Sequence, residues 1–176
     1  MDLDLYLGCV YFDRSKGGPN RGVWATEVWD GGQLRLRYWQ REKEITSNQA
    51  ILRAILFPLH ALERATCLPQ GGDQGYLHIH TIYQYLYRGI YQWSEYWLEN
   101  EFRGKTSGLP IRNKELWQEL LQYKPILRVT HHAKDENEII NRLLDFCWDK
   151  FDEGDKEQPE ADEGKAVWYG IGQSVG

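Results

Sequence analysis

A mixed α/β domain, built on a five-stranded sheet of antiparallel hairpin strands and parallel strands flanked by helices, is predicted by three observations. Two apolar runs near the N-terminus flank a Gly-Gly hairpin signal, and further short apolar runs alternate later with helical repeats. The 176 residues, 41% of them hydrophobic and eight of them tryptophan, supply enough apolar surface for one packed core.

The elements follow in order. Residues 5–12 (LYLGCVYF) are nearly continuously apolar, as in a central strand. Gly17, Gly18 and Pro19 break that run, and residues 22–29 and 33–39 form strands on either side of Asp30-Gly31-Gly32. A helix starts near Ser47, an N-capping residue type. Its buried face carries Ile51, Leu52, Ile55, Leu56, Leu59 and Leu62 at helical spacing, and Pro58 should bend or break it. Residues 76–80 form a short strand, 82–99 are helical with an interruption at Gly89, and 100–113 form a loop. A short helix over 114–123, a strand over 125–130 and a helix over 135–151 complete the domain, which spans 1–151.

Charge divides the chain differently. The net −5 is concentrated in residues 152–163, where seven acids face only Lys156, while residues 1–151 are balanced. Residues 152–176 therefore read as an acidic flexible tail carrying a short aromatic segment, Val167-Trp168-Tyr169, with docking back onto the body or onto a partner as its two readings. Cys9, Cys67 and Cys147 are odd in number and widely spaced, which suits reduced thiols and a cytoplasmic protein. No run is long and apolar enough for a membrane span, and the acidic N-terminus lacks the pattern of a secretory signal, so no membrane partner is expected.

Four stretches resemble ribonuclease H type 1. Thr46-Ser47-Asn48-Gln49 resembles the family's Thr-Asn-Asn-Arg at the start of the first helix. Gln84 to Trp93 resembles the segment after the family's Thr-Asp-Ser, and Asn113 to Trp117 resembles the Asn-x-x-Leu-Trp that ends its basic protrusion. His131 to Glu138 resembles the loop leading into its last helix. The resemblance covers roughly 5–151 and implies the ribonuclease H-like fold, together with hydrolysis of the RNA strand of an RNA–DNA hybrid by two Mg²⁺ ions held on acidic residues. Here the positions that would match those acids hold Gly8 (or Cys9), Ile51, Ile82 and Asn141. Hard cations need oxygen ligands, and two of these side chains are purely hydrocarbon. The expectation is a catalytically degenerate ribonuclease H with no metal and no cofactor.

The implied binding residues are Thr46, Ser47, Asn48, Gln84 and His132, with Arg103, Lys105, Arg112 and Lys114 on the protrusion. The expected partner is an RNA–DNA hybrid or double-stranded RNA, both of which offer 2′-hydroxyls. A protein-scaffold role is the close competitor. For Thr46, Ser47 and Asn48 a second reading is helix capping alone; for the protrusion it is a solvated charged loop diluted by Glu99, Glu101 and Glu115. Trp93, Tyr96, Trp97, Phe102 and Trp117 could stack bases but read better as core. The alternative from another class is an active ribonuclease H, dependent on Mg²⁺ or Mn²⁺, using an unrecognised acidic set drawn from Asp13, Asp73, Asp135, Glu136 and Glu138. His78, His80, His131, His132 and Cys9 fall on neighbouring strands, so a zinc site is conceivable although no local ligand spacing supports it.

Overall fold

A computed structural model describes residues 1–12, 20–154 and 156–170. Strands β1 (Leu3–Phe12), β2 (Arg21–Asp30) and β3 (Gln33–Lys43) form an antiparallel meander, turning through Gly31 at φ +60°. Helix α1 (Ser47–Arg64) then crosses to β4 (Leu77–Thr81), which pairs parallel with β1. Helices α2 (Gln84–Arg88) and α3 (Ser94–Glu99) are joined by a π-helical turn, Gly89–Trp93, and α4 (Lys114–Leu121) follows the loop. Strand β5 (Leu127–His131) pairs parallel with β4, and α5 (Glu138–Asp152) packs back on β1 and β2.

Two cores result. Leu3, Leu5 and Leu7 of β1 alternate inward against the apolar face of α1 in the larger one. On the opposite face, Val10, Val23, Ala25 and Trp39 meet Leu143 and Cys147 of α5.

The sheet has six strands, not the expected five, in the order β5-β4-β1-β2-β3-β6. The sixth, β6 (Val167–Trp168), pairs antiparallel with β3 through Leu36–Trp168 and Arg37–Val167. The physical reason is an open edge: β3 would otherwise present unpaired backbone groups. The described part of the acidic run lies along that edge in place of the expected free linker. Arg41, only 9% exposed, reaches Glu153 and Glu163 at 2.9 Å and Glu160 at 3.1 Å, and Lys150 and Lys156 add two further contacts to Glu160. Glu153, Glu160 and Glu163, which looked like part of a solvated run in sequence, have counter-charges on Arg41 of β3 and Lys150 of α5.

Pro58 does not end α1, which runs through it to Arg64. A proline lacks the N–H that would bond the carbonyl four residues back, here Ala54. The buried Thr26 hydroxyl on β2 donates to that carbonyl at 2.5 Å, so the orphaned acceptor is satisfied from the sheet. The helix is capped by Thr46, one residue before the expected Ser47.

Candidate nucleic-acid interface

The ends of β1, β4 and β5, with the segments that leave them, carry Gly8, Ile82, Gln84 and His132. Beyond the last β1–β4 partner pair, Tyr6–His80, the backbone of β1 has no strand beside it on that edge among the described residues. Tyr83, just past β4, fills the gap: its hydroxyl lies 3.0 Å from the Cys9 amide nitrogen and 2.9 Å from the Cys9 carbonyl. Burial pushes both the Tyr83 phenol and the Cys9 thiol well above their ordinary pKa values, so Cys9 is a protonated packing group and not a reactive thiolate.

The four positions expected to be degenerate lie on β1, on α1, in the turn after β4 and on α5. Gly8 is covered by α5; a β-carbon placed on it would lie 3.2 Å from Leu143 Cβ and 3.2 Å from the Leu144 backbone nitrogen. Ile51 is buried in the larger core. Ile82 is half-buried in the turn after β4, and its carbonyl lies 3.2 Å from His131 Nε2. Asn141 is half-buried on α5 and uses its Nδ2 to donate to the Asp135 carbonyl.

Gln84 opens α2 and is exposed, lining a groove of about 450 Å³ with Arg88, Gln92, Thr130 and His131. His132 continues the sheet past β5, its amide donating to the Thr81 carbonyl at 2.8 Å. Its ring reaches back: His132 Nε2 is 2.9 Å from His80 Nδ1, and His80 Nε2 is 2.8 Å from Asp4 Oδ1. Of the other histidines, His78 lies toward Asp2 at 3.7 Å and His131 toward Ile82. Among the described residues no three of His, Cys, Asp and Glu converge as a metal-holding group.

Thr46, Ser47 and Asn48 sit at the N-terminal end of α1. Thr46 forms a capping box: its hydroxyl accepts from the Gln49 amide at 3.1 Å, while the Gln49 side chain accepts from the Thr46 amide at 2.9 Å. The capping reading accounts for Thr46 by itself; Ser47 is exposed and Asn48 half-buried.

The basic loop is anchored firmly at its base. Gly89 in the π-turn allows Trp117 to approach so closely that a β-carbon there would fall 2.0 Å from the indole ring. Trp117 Nε1 donates to the Tyr85 hydroxyl at 2.8 Å, which ties α4 to α2 and hence to Gln84. Arg103 spends a guanidinium N–H on the Gly108 carbonyl at 3.0 Å, bracing the loop. Lys105 lies over the Tyr96 ring, Arg112 is exposed and Lys114 is half-buried. Trp117 and Phe102 are buried and Trp93, Tyr96 and Trp97 half-buried, so most of this aromatic surface is packing.

Sequence reasoning missed the part played by Asp4, which looked like one of several N-terminal acids, and by Tyr83. Asp13 lies outside the described residues; Asp135, Glu136 and Glu138 are exposed around the start of α5, and Asp73 is exposed in a 3₁₀ turn far along the chain from them. No helix among the described residues is long and apolar enough to cross a membrane.

The comparisons agree with this architecture. Among solved structures, LC9-RNase H1, described as a type 1 RNase H with the type 2 active-site motif, superposes with a TM-score of 0.65 at 19% identity, over 99% of this chain and 80% of that one. The foamy viral protease-reverse transcriptase in complex with RNA/DNA hybrid also matches, with a TM-score of 0.65 at 17% identity over 82% of this chain and 19% of that one. In sequence, the ribonuclease H of Methylococcus capsulatus is 32% identical over 149 residues, covering 80% of this chain and 88% of its own. The ribonuclease H of Neorickettsia sennetsu is 29% identical over 133 residues, covering 72% and 82%. The RNase H family model matches residues 8–144, and the chain belongs to the ribonuclease H family.

Proposed function

We propose that this chain is a nucleic-acid-binding member of the ribonuclease H family that engages an RNA–DNA hybrid or double-stranded RNA without hydrolysing it through two metal ions. The observation that carries the reading is the corner between Gly8 and Ile82. None of the four matching positions is a carboxylate, α5 covers Gly8, and the Tyr83 phenol bonds the Cys9 backbone. The family's two Mg²⁺ ions do not fit this donor set: a glycine, two isoleucines and one amide give at most a single neutral oxygen to cations that need several anionic ones. The binding half rests on the survival of Gln84, His132 and the basic loop around the anchored Trp117. The duplex-facing relatives support it: LC11-RNase H1 and the foamy viral enzyme were each solved with RNA/DNA hybrid.

A second reading, an active hybrid endoribonuclease dependent on Mg²⁺ or Mn²⁺, has a specific observation behind it. The matching relatives are named ribonuclease H over most of this chain, and LC9-RNase H1 carries a different active-site motif on the type 1 fold. Its carboxylates would come from the segment Asp135 to Glu138 at the start of α5, where Asn141 donates to the Asp135 carbonyl.

Equilibrium binding tests the first reading. The protein should prefer hybrid or double-stranded RNA to DNA duplex at low salt, since only the former offer 2′-hydroxyls. Gln84→Ala and Asn48→Ala should reduce that preference. Lys105→Ala and Arg112→Ala should weaken binding to every duplex and each lower the salt slope by about 1. No measurable binding to any duplex would discard the reading and favour a protein-facing role.

A further inference from the structure

Three side chains from three segments form one hydrogen-bonded chain on the sheet face opposite α1. Asp4 Oδ1 lies 2.8 Å from His80 Nε2, and His80 Nδ1 lies 2.9 Å from His132 Nε2. The Tyr6 ring stacks on His80 with centroids 4.4 Å apart and planes within 11°, which fixes the middle imidazole in orientation. His80 is 18% exposed, so it exchanges its partners for water with difficulty.

This chain dictates where protons sit. A carboxylate only accepts, so His80 carries a proton on Nε2, and in the neutral ring its Nδ1 is bare. His132 must then donate from Nε2, and in the neutral ring its Nδ1 is bare as well. A single added proton has one place to go without breaking anything, His132 Nδ1; the resulting imidazolium still donates inward through Nε2. A second proton, on His80 Nδ1, would set two N–H groups facing each other across 2.9 Å.

We propose that Asp4, His80 and His132 form a proton relay that makes His132 a proton-linked contact for a phosphate oxygen of bound nucleic acid, so that duplex binding takes up one proton. The proposal rests on the nucleic-acid-binding reading and assigns that site a regulation. Its geometry bonds the His132 amide to the Thr81 carbonyl, one residue before Ile82, and His132 follows His131, which lines the groove that holds Gln84 and Arg88. The charged groups acting on the His132 ring are His80 from β4, and His131 and Glu136 from its own segment; Asp4 and Tyr6 of β1 stand behind His80. Burial, followed by the two neighbouring imidazoles, holds the His132 pKa below its ordinary value, while Glu136 opposes them. The free protein therefore presents a neutral His132 at pH 7, and a phosphate oxygen arriving at Nδ1 draws the proton in.

The test uses the full chain, with an RNA–DNA hybrid as probe and affinity measured from pH 8 to pH 6. Hybrid affinity should rise as pH falls, by up to about tenfold per unit because one proton is linked. His132→Gln should flatten the profile, and Asp4→Asn should displace it to lower pH because the protonated chain loses its anionic anchor. Equal affinity across the range, or a profile unchanged in His132→Gln, overturns the relay while leaving the binding reading intact; no binding at any pH overturns both. Imidazole nitrogen chemical shifts in the free protein supply an independent arm. They should show His80 and His132 as Nε2–H tautomers at pH 8, and a proton on Nδ1 of either ring overturns the proposal regardless of binding.

Discussion

The Tyr83 hydroxyl is held between the amide and the carbonyl of Cys9, at 3.0 and 2.9 Å, and so stands in for the strand that β4 no longer supplies at that level of the sheet. Two backbone groups of β1 depend on this one oxygen. Tyr83→Phe leaves both without it, and an unmade buried hydrogen bond costs about 1–3 kcal/mol. Denaturant unfolding should show that loss with an unchanged m-value. A loss below about 0.5 kcal/mol would mean that water replaces the hydroxyl and that the corner is open to solvent.

Gly8 sets the second expectation. Any side chain there presses on the backbone of α5 at Leu144, because its β-carbon would lie 3.2 Å from the Leu144 nitrogen. Gly8→Asp should destabilise the fold by about 1–3 kcal/mol, the usual cost of overpacking, and should not restore cleavage. Gly8→Ala should cost less, since it lacks the carboxylate to desolvate. An Asp variant as stable as the parent would show that α5 yields easily at this point.

The strap along β3 sets a third, in pH. Hydrogen bonds from Lys150, and then from Lys156 and Arg41, outweigh desolvation and lower the Glu160 pKa from 4.5 to about 2. A carboxylate with a depressed folded pKa stabilises fully above its unfolded value, and that stabilisation is lost as pH falls from about 4.5 toward about 2. Glu160→Gln should therefore lower the midpoint of thermal unfolding at pH 7 and have little effect near pH 2. Arg41→Ala should expose the β3 edge, seen as faster amide exchange at Leu36 and Arg37, the residues paired with β6. Unchanged exchange there would mean that β6 holds without the ion network.

Most of the scaffold was legible because its strands and helices bury one face each. Residues 5–12 form an apolar run and the α1 apolar residues repeat at helical spacing, so local pattern and tertiary burial say the same thing. What failed to show depended on partners distant in sequence. Two residues, Val167 and Trp168, carry no periodicity, and their pairing with β3 follows from Arg41 gathering carboxylates more than a hundred residues away. The continuity of α1 through Pro58 is invisible without Thr26. In the candidate site, Gln84 and His132 were legible by resemblance. The relay was not, because Asp4, His80 and His132 meet only through the β1–β4–β5 register.

Binding without cleavage is the central claim, and one assay separates its halves. An RNA–DNA hybrid labelled on the RNA strand is incubated with saturating protein at low salt, in Mg²⁺ and in Mn²⁺, and the same samples are run on native and denaturing gels. The account predicts a shifted complex on the native gel and full-length RNA on the denaturing gel, with either metal. RNA fragments that need the metal and disappear in Glu136→Gln or Asp135→Asn would contradict it, and would place a working acidic set at the start of α5.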